Sequence, residues 1–168
     1  MKTHLKMTSA LVGAIRADLE RPHPFAHERV GFIFAGLAKV GADLAILAHT
    51  YQPIADEDYL DDPTVGAMMG PAAIRKALQQ ALQTRSAALH VHMHDHRGQP
   101  GFSAVDLREN AKFVPNFFNV GPQRAHGAIV LSRDGAAGQI WTDRLGDAVA
   151  INRFTAVGPK LNLLGAFQ

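Results

Sequence analysis

Two stretches carry apolar residues at helical spacing, and several others alternate or run apolar as strands do. Over residues 8–20, Leu11, Val12, Ile15 and Leu19 make one stripe, Thr8 or Ser9 stands at the cap position, and Pro22 and Pro24 stop the helix. Pro71 suits the first position of a second helix, whose apolar face is read as Ile74, Leu78, Ala81 and Leu82. A third helix is expected from about Ser103, with Asp106 at the capping-box spacing and Pro115 as its end.

Strand signals fill the gaps. Residues 3–7 predict a short strand, 28–38 an apolar buried one, and 43–51 a second beyond the turn at Gly41. Two adjacent apolar strands call for a sheet covered on both faces, or a strongly curved one. Residues 52–70 read as a loop with Met68 and Met69 near its end. Residues 86–96 alternate Leu89, Val91 and Met93 with histidines, which predicts a strand with imidazoles on one face. A hairpin over 126–143 turns at RDGAAG, and 147–157 makes a last strand. The order is mixed α+β in a single domain covering residues 1–168.

Composition narrows the chemistry more than the fold. Seventeen Lys and Arg against fifteen Asp and Glu leave a formal charge of +2, with the basic residues scattered, so nothing calls for a nucleic-acid partner. No run approaches a membrane span, and Arg16, Asp18 and Glu20 interrupt the N-terminal apolar stretch, so no membrane is expected and the protein is expected in the cytoplasm. The chain has no cysteine, which excludes thiolate metal sites and cysteine nucleophiles.

The nine histidines are the exception to an ordinary composition, since four fall at 90, 92, 94 and 96. Imidazoles two apart on a strand project to one side and can share a metal ion. His94 and His96, with Asp106 from the first turn of the next helix, make a two-His, one-carboxylate set that leaves a position open for water. Glu28, at the head of an apolar strand, suits a general base acting on that water. Taken one at a time these residues have plainer uses: Glu28 as a solvated strand start, Asp106 as a first-turn carboxylate, Ser103 as a helix cap, the histidines as a solvent-facing strand.

Their order resembles the JAB/MPN family, whose zinc peptidases carry the JAMM motif. Glu28-x-x-Gly31, with His23-Pro24 ahead of it, is similar to that family's glutamate strand. His94-Asp95-His96-Arg97-Gly98 is similar to its His-Ser-His-Pro-Gly, and Ser103-Ala104-Val105-Asp106 to its Ser-x-x-Asp. The resemblance spans roughly residues 3–157. Asp95 and Arg97 depart from the pattern. The loop to Ser103 is one residue shorter than the family's with His94 and His96 as the pair, and one longer with His92 and His94. Gly98 favours the former.

The resemblance implies a cytidine-deaminase-like curved mixed sheet flanked by helices. It implies one Zn2+ per chain on His94, His96 and Asp106, Glu28 as the base, and Ser103 bonded to the water or the oxyanion. The implied activity is hydrolysis of the amide bond after the C-terminal tail of a ubiquitin-like protein, with its conjugates as substrates and Met68 and Met69 as contacts for the tail. The compact form is similar to stand-alone bacterial members that act beside E1-like and E2-like proteins, antiphage systems among them. A peptidase of a sulfur-carrier protein and a non-catalytic scaffold are the competing readings.

Overall fold

The computed structural model describes residues 1–24, 27–62, 64, 66–122, 124–160 and 162–166. Its elements run β1 (Thr3–Thr8), α1 (Ser9–Leu19), β2 (Val30–Val40), β3 (Asp43–Pro53), β4 (Tyr59–Leu60), β5 (Met68–Met69), α2 (Pro71–Thr84), β6 (Ala87–Met93), α3 (Ala104–Phe113), β7 (His126–Leu131), β8 (Ala136–Trp141), β9 (Val149–Ala150), β10 (Arg153–Val157) and β11 (Asn162–Ala166). Short 3-10 helices fill Asp56–Asp58 and Val114–Asn119.

Nine strands form one mixed sheet in the order β11-β10-β1-β3-β2-β6-β7-β8-β9. β1 is parallel to both neighbours, β6 and β7 are parallel across the α3 connection, and β2 is antiparallel to β3 and β6. The sheet bends so strongly that β11, at one edge, touches β8 near the other. Inside the bend, Leu5, Ile33, Ile46, Leu89, Ile129 and Phe154 pack with Ile15 of α1 into one core. On the outer face Phe32, Phe34 and Ala88 are covered by α2 and by Phe117 of the second 3-10 helix. β2 is therefore apolar through Val30–Ala35 because both its faces are covered, which is what its unbroken hydrophobic run requires.

The caps follow the local sequence. Thr8 Oγ1 accepts from Leu11 N at 3.1 Å, and Pro71 opens α2. The face of α2 differs from the expected one. Ala73, Ala77 and Ala81 are buried, Ile74 and Leu78 flank them, and Leu82 is exposed. A stripe of alanines lets the helix approach the sheet closely, so small size outranks hydrophobicity in choosing the buried face.

Other boundaries also moved. The histidine strand ends at Met93 rather than at 96. Pro115 does not end the helical path, because α3 passes directly into the 3-10 helix that contains it. The single strand expected over 147–157 is split into β9 and β10. β4, β5 and β11 were not foreseen. Among the described residues no helix is long and apolar enough to cross a membrane.

Candidate metal centre

The site lies where β2 begins and β6 ends. Antiparallel register pairs Val30 with His92 and Phe32 with His90. Carried two residues further, it sets Glu28 opposite His94 on the same outer face. One oxygen of Glu28 and one nitrogen each of His92 and His94 all lie within 4.8 Å of one another. His92 Nε2 stands 3.2 Å from His94 Nε2, and Asp106 Oδ2 is 3.5 Å from the first and 3.7 Å from the second.

Several contacts hold these groups. His94 N donates to Leu131 O at 2.9 Å, which extends the β6–β7 ladder one residue past the strand. Asp106 sits in the first turn of α3 in a closed capping box: its N–H donates to Ser103 Oγ at 3.1 Å, and its Oδ2 accepts from Ser103 N at 2.7 Å. Burial works to raise the Asp106 carboxyl, but His92, with the hydroxyl and backbone N–H of Ser103, outweighs it and holds the carboxyl well below the usual range. Asp106 is thus an anion ready to accept or ligate. Glu28 is half-buried, and its backbone N donates to Gly66 O at 3.1 Å. A Cβ at Gly66 would lie 2.9 Å from Glu28 Oε2, so the carboxylate takes up the space that a larger residue there would need.

His94, Asp106 and Glu28 from the expected set come together, and their fourth member is His92. His96 does not join them. Beyond His94 the chain leaves the sheet, and His96 is exposed with Nδ1 donating to Arg97 O at 2.9 Å. Its departure is fixed from the hairpin turn: Arg133 pairs with Asp95 at 2.6 Å, Gly98 N donates to Asp134 Oδ1 at 2.7 Å, and Ser132 Oγ donates to Gly98 O at 2.6 Å. Gly98 has φ +89°, a left-handed turn that glycine makes without strain. Ser103 is exposed, and its oxygen serves the cap.

The donor set suits a small divalent ion. Ligands 2.0–2.1 Å from a tetrahedral ion stand roughly 3.3 Å apart, close to the 3.2, 3.5 and 3.7 Å observed. Two imidazole nitrogens and a carboxylate are ligands that zinc accepts.

Four further residues shape the site without having been singled out. Tyr59 Oη accepts from Val30 N at 3.0 Å and donates to Val30 O at 3.1 Å, clamping the start of β2. The buried Arg29 binds Asp56 at 2.7 Å and the carbonyls of Arg21 and Pro22, fixing the segment that carries Glu28. Gly31 leaves room for the ring of Tyr51, whose Oη donates to Asp18 at 2.6 Å. A cavity of about 330 Å³ adjoins the cluster, with His90 and Asn110 in its wall. Burial, reinforced by the charge of His92 and opposed by Asp106 and Asn110, pushes the His90 pKa down to about 3, so this ring is neutral. Isolated polar residues inside an apolar pattern were the available signal: Arg29 before β2 and Asn110 within α3.

The site as a whole is a clustered His-His-Glu arrangement compatible with metal coordination, with Asp106 against both histidines, in a small α+β domain. No family model matches the chain, and no curated protein matches it.

Proposed function

We propose that this protein is a zinc-dependent amide hydrolase of the JAB/MPN type. The observation that carries the reading is the convergence of His92, His94 and Asp106 at spacings suited to one tetrahedral ion, with Glu28 beside them. His92, His94 and Asp106 would hold the metal, one ion per chain. A zinc ion held there supplies Lewis-acid polarisation of the scissile carbonyl and acidifies a water molecule. Glu28 takes the proton from the attacking water and delivers it to the leaving amine. Ser103 keeps Asp106 in place through the cap, and its hydroxyl proton remains available to the developing oxyanion.

The substrate reading follows from the resemblance: a ubiquitin-like tail in amide linkage, in a conjugation system with E1-like and E2-like proteins, in the cytoplasm. Met68 and Met69 support it, since both line the cavity beside the cluster and give an adaptable apolar contact.

The test is metal content and hydrolysis of untagged protein. Wild type should carry about one zinc per chain and cleave a fusion placed after a ubiquitin-like tail. His92→Ala and Asp106→Ala should lose zinc and activity together, while His96→Ala keeps both. Glu28→Gln should keep zinc and lose at least about 100-fold in rate. Failure of wild type to take up zinc from solution overturns the reading.

A further inference from the structure

The cavity beside the cluster has features that metal binding does not use. Met68, Met69, Ile74 and Phe113 make its walls apolar. His90 and Asn110, also in its wall, are polar and incompletely bonded. Asn110 is 4% exposed, and its Nδ2 has no hydrogen-bond partner among the described residues. The His90 ring is half-buried by area, yet both its nitrogens are shut off from solvent and neither makes a well-formed hydrogen bond. A leucine at 110 and a phenylalanine at 90 would fill similar space without burying orphaned donors.

We propose that this cavity is a side-chain subsite, in which His90 and Asn110 read a substrate residue with an apolar stem and an uncharged amide tip, such as glutamine. The assignment rests on the hydrolase reading for the position of the reacting bond, since the same cavity is lined by Glu28, His92 and Asp106.

The chemistry of the wall selects the tip. Asn110 Nδ2 offers donors and needs an acceptor, which an ammonium or guanidinium group cannot provide. A neutral imidazole offers one N–H and one lone pair, so the matching group both accepts and donates, as a primary amide does. A carboxylate would accept as well, but Glu28, Asp106 and Glu109 all line the cavity, and an anion would lose its hydration beside them. A purely apolar tip leaves the wall as it is, with its donors unpaired. The volume of about 330 Å³ lies at the small end for ligand pockets, enough for one side chain.

The experiment uses three blocked single residues, the N-acetyl methylamides of glutamine, norleucine and glutamate, titrated into zinc-treated and metal-free full-length protein by heteronuclear NMR. The glutamine probe should bind at least about tenfold tighter than either of the others. Asn110→Leu and His90→Phe should each erase that preference, with thermal unfolding and zinc stoichiometry unchanged as proof of an intact fold. Equal binding of the glutamine and norleucine probes to wild type overturns the subsite, as does a preference that survives in both variants. The two readings fail separately. Cleavage of tail fusions by a protein that shows no glutamine preference overturns the subsite alone, whereas a glutamine preference in a protein that binds no zinc overturns the hydrolase alone.

Discussion

β6 has two faces that do different work on the same seven residues. Toward the inside of the bend it presents Ala87, Leu89 and Val91, each fully buried, in the large apolar core. Toward the outside it presents Ala88, His90 and His92, with His94 continuing the row one step past the strand. The inner face removes hydrocarbon from water and has no polar group to satisfy. The outer face places imidazoles among Phe32, Phe102 and Phe113, where a polar atom without a partner is costly. His92 shows the consequence: its Nδ1 is buried with no acceptor, and its Nε2 is crowded against that of His94. One face is arranged for stability, and the other keeps unsatisfied nitrogens available for a ligand.

Substituting one residue on each face should therefore give opposite results. Leu89→Ala should cost about 3 kcal/mol, lower Tm by roughly 6–12 °C, and leave the zinc affinity of the folded protein unchanged. His92→Leu should reduce zinc affinity at least about 100-fold and leave the metal-free protein as stable as wild type or slightly more so, because it removes the crowding and the orphaned nitrogen. Denaturant unfolding of the metal-free proteins, set beside zinc titrations, measures both. A His92→Leu protein destabilised as much as Leu89→Ala would erase the distinction between the faces.

This division was legible in the sequence because alternation is local. Leu89, Val91 and Met93 against four histidines announces two faces before any partner is known. The Ser103–Asp106 capping box and the helix starts at Ser9 and Pro71 were legible for the same reason, since their bonds close within a few residues. The end of the histidine face was not. Alternation continues to His96, and what turns the chain away is Arg133 on Asp95 with Asp134 and Ser132 on Gly98, partners more than thirty residues distant. The expected His94–His96 pair was read from an unbroken pattern, and the structure brings His92 and His94 together because the backbone leaves the sheet between 94 and 96. Tyr59 on Val30 and Arg29 on Asp56 were hidden likewise, and so were β4, β5 and β11, whose few residues form strands only against partners elsewhere in the chain.

A second imidazole on the outer side separates structural from available nitrogens. His126 is fully buried and stacked on Phe117, but its bonds are complete: Nδ1 accepts from Ala88 N at 3.1 Å, and Nε2 donates to Gly121 O at 3.1 Å. Burial, aided by Arg124 and opposed by the Gly121 carbonyl, pushes its pKa down to about 4. The folded state therefore refuses a proton that the unfolded chain accepts near 6.5. The stability linked to neutral His126 is fully present above pH 6.5 and is lost as pH falls toward 4. His126→Phe should be less stable than wild type at pH 7, and the gap should narrow by on the order of 2–3 kcal/mol on going to pH 4. Unfolding curves of the metal-free proteins at both pH values test this. A gap that stays constant would mean that His126 is not kept neutral by the fold.

The smallest effect belongs to Ser103, at the edge of the outer face, where one side chain is assigned both a structural and a chemical part. Its Oγ accepts from Asp106 N, so Ser103→Ala should cost about 1 kcal/mol. The bond from Ser103 N to Asp106 Oδ2 is made by the backbone and survives the change, so zinc affinity should fall less than about tenfold. Ser103→Asn restores a capping acceptor without a hydroxyl, and Ser103→Thr restores both. If the hydroxyl serves the oxyanion, Asn recovers the lost stability but not the rate of hydrolysis, and Thr recovers both. Equal recovery of rate by Asn and Thr would reduce Ser103 to a cap, leaving the chemistry of this face to Glu28 and the groups that hold the metal.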